Sequence, residues 1–258
     1  MLKSVRRVDF VPGISTKIPD SFTAIVSPDA PTLVAVHGIS RNAAEIATRF
    51  ASHPQFRDVN IVAPLFERPK FGKYQQLLAR RSRETPADEA LFALLDTLKL
   101  NSAPHNRKFS LFGFSGGAQM ALRMTILYPE RVSRLCAVSA GWYLMPDAEL
   151  AYPFGIGSGC PKPVQPGAFL TVPTTIMIGN RDTGVDASVR QEPVIVTSQG
   201  KNRLRRSRTW VKTINDLAAA QGKTPIANLI TLENGTHDFG QCARETPLLD
   251  HAATALLL

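Results

Sequence analysis

Short, nearly continuous β-branched runs alternate with longer stretches that carry a helical apolar stripe, and that alternation leaves few folds open to this chain. TLVAVHG (32–38) and VNIVAPLF (59–66) lack the polar–apolar alternation of a half-exposed strand, so each reads as a strand buried on both faces. NAAEIATRFASH (42–53) lies between them as a helix, with Asn42 and Glu45 spaced as a cap pair. The pattern continues with a helix in ADEALFALLDTLKL (87–100), a strand in KFSLFGFS (108–115) and a helix from Gly116 that Pro129 stops. SRLCAVSAG (133–141) and TTIMIGN (174–180) read as strands, RLRRSRTWVKTINDLAAA (203–220) as a helix, ANLITLEN (227–234) as the last strand and ETPLLDHAATALLL (245–258) as a closing helix. SVRRVDFV and SFTAIVS precede all of these as an opening hairpin. The expected fold class is α/β: a mostly parallel sheet of about eight strands with helices on both faces, in a single domain over 1–258. Two stretches break the rhythm: 141–172, rich in Pro and Gly, and 183–209, polar and then strongly basic.

Bulk properties narrow the function. With 258 residues, 44% hydrophobic and 20% charged, the chain reads as a soluble globular protein. No apolar run approaches spanning length and the N-terminus has no apolar signal core, so neither a membrane span nor secretion is expected. Cys136, Cys160 and Cys242 are too few and scattered for a disulfide framework or a zinc site, which favours a reducing, cytoplasmic setting and no metal cofactor. The net charge of +9 favours anionic partners. Nucleic acid is not expected, because no binding module or interleaved aromatic pattern accompanies the charge.

Gly113-Phe114-Ser115-Gly116-Gly117 matches G-x-S-x-G at a predicted strand-to-helix junction, the context in which a strained turn lifts a serine hydroxyl above the sheet. A bland glycine-rich turn is the alternative. A serine nucleophile needs a base, and the base an orienting acid. His237, in LENGTHDFG, is late enough in the chain and follows the last strand; His53 and His105 precede Ser115, and His251 sits inside the closing helix. Asp182 lies just past a strand end and is the candidate acid, with Asp186 in reserve; Asp238, next to His237, would point elsewhere. Oxyanion donors are expected from the backbone N–H groups of Gly116 and Ile39, the latter on the turn after His37-Gly38. His37 reads as a brace for that turn, and Ser40 as a weaker hydroxyl contact.

With these residues in place, the chain resembles the α/β-hydrolase superfamily over nearly its whole length, through VAVHGIS, GFSGG, GNRD and GTHDF in the family's order and spacing. HGISRN, SAGWYLMPD and QGKNRLRRSRTWV are similar to bacterial esterases of the polyhydroxybutyrate-depolymerase-like type. The resemblance implies a serine hydrolase of carboxylic esters, working on a small-molecule ester without a cofactor. A peptidase, amidase or thioesterase with the same residues, and a non-catalytic binding protein of the same fold, are the alternatives. The oxyanion turn is His37-Gly38-Ile39 rather than HGGG, so the substrate preferences of hormone-sensitive-lipase-like enzymes do not carry over. Segment 141–172 falls where a cap inserts in that family and is read as a short irregular flap; Trp142, Tyr143 and Leu144 either line the substrate pocket or pack the flap down. Lys201, Arg203, Arg205, Arg206, Arg208 and Lys212 are read as a mainly solvated helix face, with Leu204, Val211 and Ile214 inward; steering of an acidic substrate is the sharper alternative.

Overall fold

The computed structural model describes residues 6–78, 84–100, 108–165 and 167–258. Eight strands form one sheet: β1 (Asp9–Val11), β2 (Asp20–Ala24), β3 (Thr32–Val36), β4 (Asn60–Leu65), β5 (Phe109–Phe114), β6 (Val132–Val138), β7 (Thr174–Gly179) and β8 (Ala227–Leu232). Their order is β1-β2-β4-β3-β5-β6-β7-β8. β2 pairs antiparallel with both β1 and β4, and the pairings from β4 through β8 are parallel. The helices are α1 (Ala43–Ser52), α2 (Ala87–Thr97), α3 (Gly116–Leu127), α4 (Pro193–Gln199), α5 (Arg203–Ala220), α6 (Phe239–Glu245) and α7 (Leu248–Leu257).

The continuous apolar strands are buried on both faces because a helical layer covers each. Successive side chains of a strand point to opposite faces. Val34 and Val36 pack with α2, α3 and α5, whereas Leu33 and Ala35 pack with α1, α6 and α7. Parallel strands share a direction, so the loops leaving β3, β5, β7 and β8 emerge along one edge of the sheet. Every sequence-predicted reacting group lies on one of those loops.

Local features differ from the sequence reading. Asn42 does not accept a hydrogen bond from the first turn of α1; its Nδ2 donates to Glu45 Oε2 at 3.0 Å, so the pair bond each other instead of capping. The closing helix begins only at Leu248, after Pro247, and α6 precedes it as a separate helix. Asp238 caps α6 by accepting from the Gln241 N–H at 2.6 Å. α4, inside the polar stretch, was not expected. His105 lies outside the described residues. Among the described residues, no helix is long and apolar enough to cross a membrane.

The phase of α5 is the main correction. Its buried stripe is Arg203, Arg206, Trp210, Ile214 and Ala218, not Leu204 and Val211. Two cations assigned to a solvated face are therefore interior. Arg206 donates to the carbonyls of Gly141 (2.6 Å), Arg190 (2.6 Å) and Gly200 (2.8 Å), tying three loops together, and burial lowers its pKa.

Candidate active site

β5 passes directly into α3 through one residue, Ser115, whose φ of 54° and ψ of −110° are rare for a residue with a Cβ. Such strain costs on the order of 1–3 kcal/mol and persists only where surrounding structure enforces it. Close packing enforces it here. A Cβ on Gly117 would meet the Val36 carbonyl oxygen at 2.1 Å, so the first turn of α3 sits against the end of β3. The Ser115 N–H is spent on the Val138 carbonyl at 2.8 Å.

The turn after β3 lies beside this junction. A Cβ on Gly38 would stand 3.4 Å from Ser115 Cβ, and one on Gly116 would stand 3.2 Å from Ile39 Cγ2. Among the described residues, neither the Ile39 nor the Gly116 N–H is engaged in a hydrogen bond. His37 holds the turn. Its Nε2 accepts from the Phe66 N–H at 3.0 Å, which leaves the proton on Nδ1 to be donated to the Gly38 carbonyl at 2.7 Å. Burial pushes its pKa down to about 4, so the ring is neutral. Tyr74, a brace that sequence reasoning missed, donates to the His37 carbonyl at 2.9 Å.

The other two groups arrive from β7 and β8. A Cβ on Gly179 would meet the Gly235 carbonyl oxygen at 2.2 Å, so the two loops touch. His237 Nε2 lies 2.9 Å from Ser115 Oγ, and its Nδ1 lies 2.8 Å from Asp182 Oδ2. Asp182 is buried and Asp186 is exposed. Asp186 is held below the usual carboxylate range, first by hydrogen bonds from Ser188.

Ser115 and His237 open onto a cleft of about 260 Å³, lined also by Gly38, Ile39, Ser40, Glu45 and Ser188. Trp142 and Tyr143 are not among its lining residues; of the two alternatives left open by the sequence, they take the packed one. Trp142 is buried between Phe154, 5.3 Å between centroids, and the Arg123 guanidinium, 4.4 Å above the ring. Tyr143 stacks on Trp210 at 5.5 Å. Leu144 is buried too. The described residues of segment 141–172 fold down toward α3, with Arg123 Nη2 donating to the Pro153 carbonyl at 3.0 Å, and none of them lines the cleft.

Comparison with solved structures fits this topology. A poly(aspartic acid) hydrolase from Sphingomonas sp. KT-1 superposes with a TM-score of 0.79 at 21% identity, covering 98% of each chain. A poly(3-hydroxybutyrate) depolymerase from Bordetella parapertussis gives 0.75 at 24% identity, covering 96% of this chain and 89% of that one. The chain has the α/β-hydrolase fold. An S-formylglutathione hydrolase from Agrobacterium tumefaciens shares the α/β-hydrolase fold at a TM-score of 0.61 and 15% identity, covering 96% of this chain and 94% of its own. No protein-family model and no curated protein matches the sequence. Ser115 stands at the strand-to-helix turn of the G-x-S-x-G pattern, and Asp182 and His237 follow it in chain order.

One participant was missed. Arg203, at the start of α5, donates from Nη1 to Asp182 Oδ1 at 3.0 Å, and both side chains are almost fully buried. Its signal was available in helical phase, because Arg203, Arg206, Trp210 and Ile214 share one face, but a dense basic run disguised it.

Proposed function

We propose that this protein is a serine hydrolase that cleaves carboxylic esters. The observation that carries the reading is the unbroken hydrogen-bonded chain from Ser115 Oγ through the His237 ring to Asp182, at 2.9 and 2.8 Å. With Nδ1–H donated to Asp182, the Nε2 lone pair faces the serine hydroxyl and accepts its proton as Oγ attacks the ester carbonyl. Asp182 fixes the tautomer and stabilises the imidazolium. The Ile39 and Gly116 N–H groups, free and adjacent, receive the oxyanion. His237 returns the proton to the leaving alcohol, then activates the water that releases the acyl group. Every group needed belongs to the chain itself.

A fluorophosphonate probe tests this. It should label the native protein on the peptide containing Ser115 and spare Ser115→Ala, and the variant should lose p-nitrophenyl ester hydrolysis. Equal labelling of both would remove Ser115 from the mechanism.

A second reading, amide cleavage in an acidic chain, is favoured by one observation. Arg205, Arg208 and Lys212 line an exposed groove of about 430 Å³ on α5, and one protein of the same fold hydrolyses poly(aspartic acid). The cleft itself argues for the ester, because Glu45 and Asp238 line it and would repel an anionic chain beside Ser115. Rates on matched ester and amide substrates separate the two.

A further inference from the structure

We infer that Arg203 is a positioning residue: it holds the Asp182 carboxylate in its productive orientation. The inference rests on the serine-hydrolase reading of Ser115, His237 and Asp182. The two oxygens of Asp182 are divided, Oδ2 to His237 Nδ1 at 2.8 Å and Oδ1 to Arg203 Nη1 at 3.0 Å, so the carboxylate cannot rotate without losing both. Arg203 is itself fixed, because its Nη2 donates to Ser188 Oγ at 2.6 Å and Ser188 lines the cleft. A line of contacts therefore runs from the cleft rim to the triad acid.

Stability alone is a poor reason for this cation. Burying an ion pair costs desolvation that the attraction does little more than offset. The Arg203 Nε is also buried without a protein acceptor. What the guanidinium does fix is the orientation of the carboxylate that His237 faces. The other charged or titratable groups around the pair are Asp186, 3.5 Å from Arg203 Nη1, Asp238 and Glu45 in the cleft, and Tyr143, Arg206 and Cys242 in the wall. Arg203 Nη1 is the cationic nitrogen in direct contact with Asp182.

The test is the fluorophosphonate labelling rate of the full chain over a range of probe concentrations, with near-UV circular dichroism to confirm folding. In Arg203→Gln the maximal labelling rate should fall about tenfold while the half-saturating probe concentration stays within about twofold, because the misplaced group is the acid behind His237 and not a wall of the cleft. Arg203→Lys keeps one donor for Asp182 but loses the two-pronged geometry, so it should recover part of that rate. A folded Arg203→Gln with the native maximal rate overturns the inference. If Arg203→Gln does not fold, Arg203→Lys decides, and labelling at the native maximal rate overturns it. Absence of labelling in the native protein would instead strike the serine-hydrolase reading, and the inference with it.

Discussion

Ser115 and Asp182 stand at the two ends of one hydrogen-bonded chain, yet they are held by different kinds of force. Ser115 is placed by backbone alone: a strand end, a helix start one residue later, and a glycine that lets α3 press against β3. Asp182 is placed by a side chain 21 residues further along, Arg203, reaching it from the first turn of another helix. Covalent geometry acts over a few residues and leaves a local pattern such as G-x-S-x-G. A buried ion pair acts through tertiary structure and leaves only a charge at a helical phase.

The largest effect that sharpens this contrast is expected at Asp182. Asp182→Asn should keep the fold and lower kcat by about three to four orders of magnitude, as loss of a triad acid does. Asp186→Asn, exposed and bonded chiefly to Ser188, should change kcat by less than about threefold. Steady-state kinetics on a p-nitrophenyl ester would check both. The reverse ranking would hand the role to Asp186.

Next comes a pair of glycine substitutions, one on each side. Gly117→Ala forces a Cβ to within 2.1 Å of the Val36 carbonyl oxygen, so it should destabilise by about 3 kcal/mol or more and dislodge Ser115. Gly184→Ala, on the Asp182 loop, meets nothing within 4 Å and should stay within about 0.5 kcal/mol of the native protein. Urea unfolding measures both. Equal losses would mean that the loop after β7 is as tightly fixed as the elbow.

This division also explains what could be read from the sequence. All eight strands and the course of α5 follow from apolar runs and helical stripes, which are local. The positions of Ser115, His237 and Asp182 follow from where those elements end. Arg203 and Arg206 escaped because the inward phase was assigned from Leu204 and Val211, although Trp210, about two helical turns after Arg203, marks the true face. Trp142 and Tyr143 were ambiguous for a related reason. An aromatic pair in a Pro- and Gly-rich segment has no periodicity to say which way it faces. Its burial against Arg123 and Trp210 depends on residues distant in sequence.

A smaller, pH-dependent effect belongs to the Ser115 side. In the unfolded chain His37 binds a proton below about 6.5, but in the folded chain only below about 4. Unfolding therefore takes up a proton between those values, and stability falls as pH drops through that window. The loss should total on the order of 3 kcal/mol. Above about 6.5 this group should contribute no pH dependence. Urea unfolding at pH 7 and pH 4.5 should show a steeper loss in the native protein than in His37→Gln, whose amide can make both hydrogen bonds without titrating. Parallel losses in the two proteins would remove His37 as the source.

The smallest effect is expected on the outer face of α5, where Arg205, Arg208 and Lys212 share a helix with Arg203 but not its burial. Their groove has no residue in common with the cleft that holds Ser115 and His237. Surface charges at this remove act only through a screened field. Arg205→Glu combined with Arg208→Glu should therefore leave kcat/KM for a neutral ester within about twofold of the native value. For an anionic ester, the ratio between variant and native protein should stay flat from low to high salt. A loss confined to the anionic ester and abolished by salt would make this face a steering surface and revive the acidic-chain reading. It would also break the contrast drawn above, because the cations of α5 would then serve the site from both faces of the helix, one by contact with Asp182 and one by field.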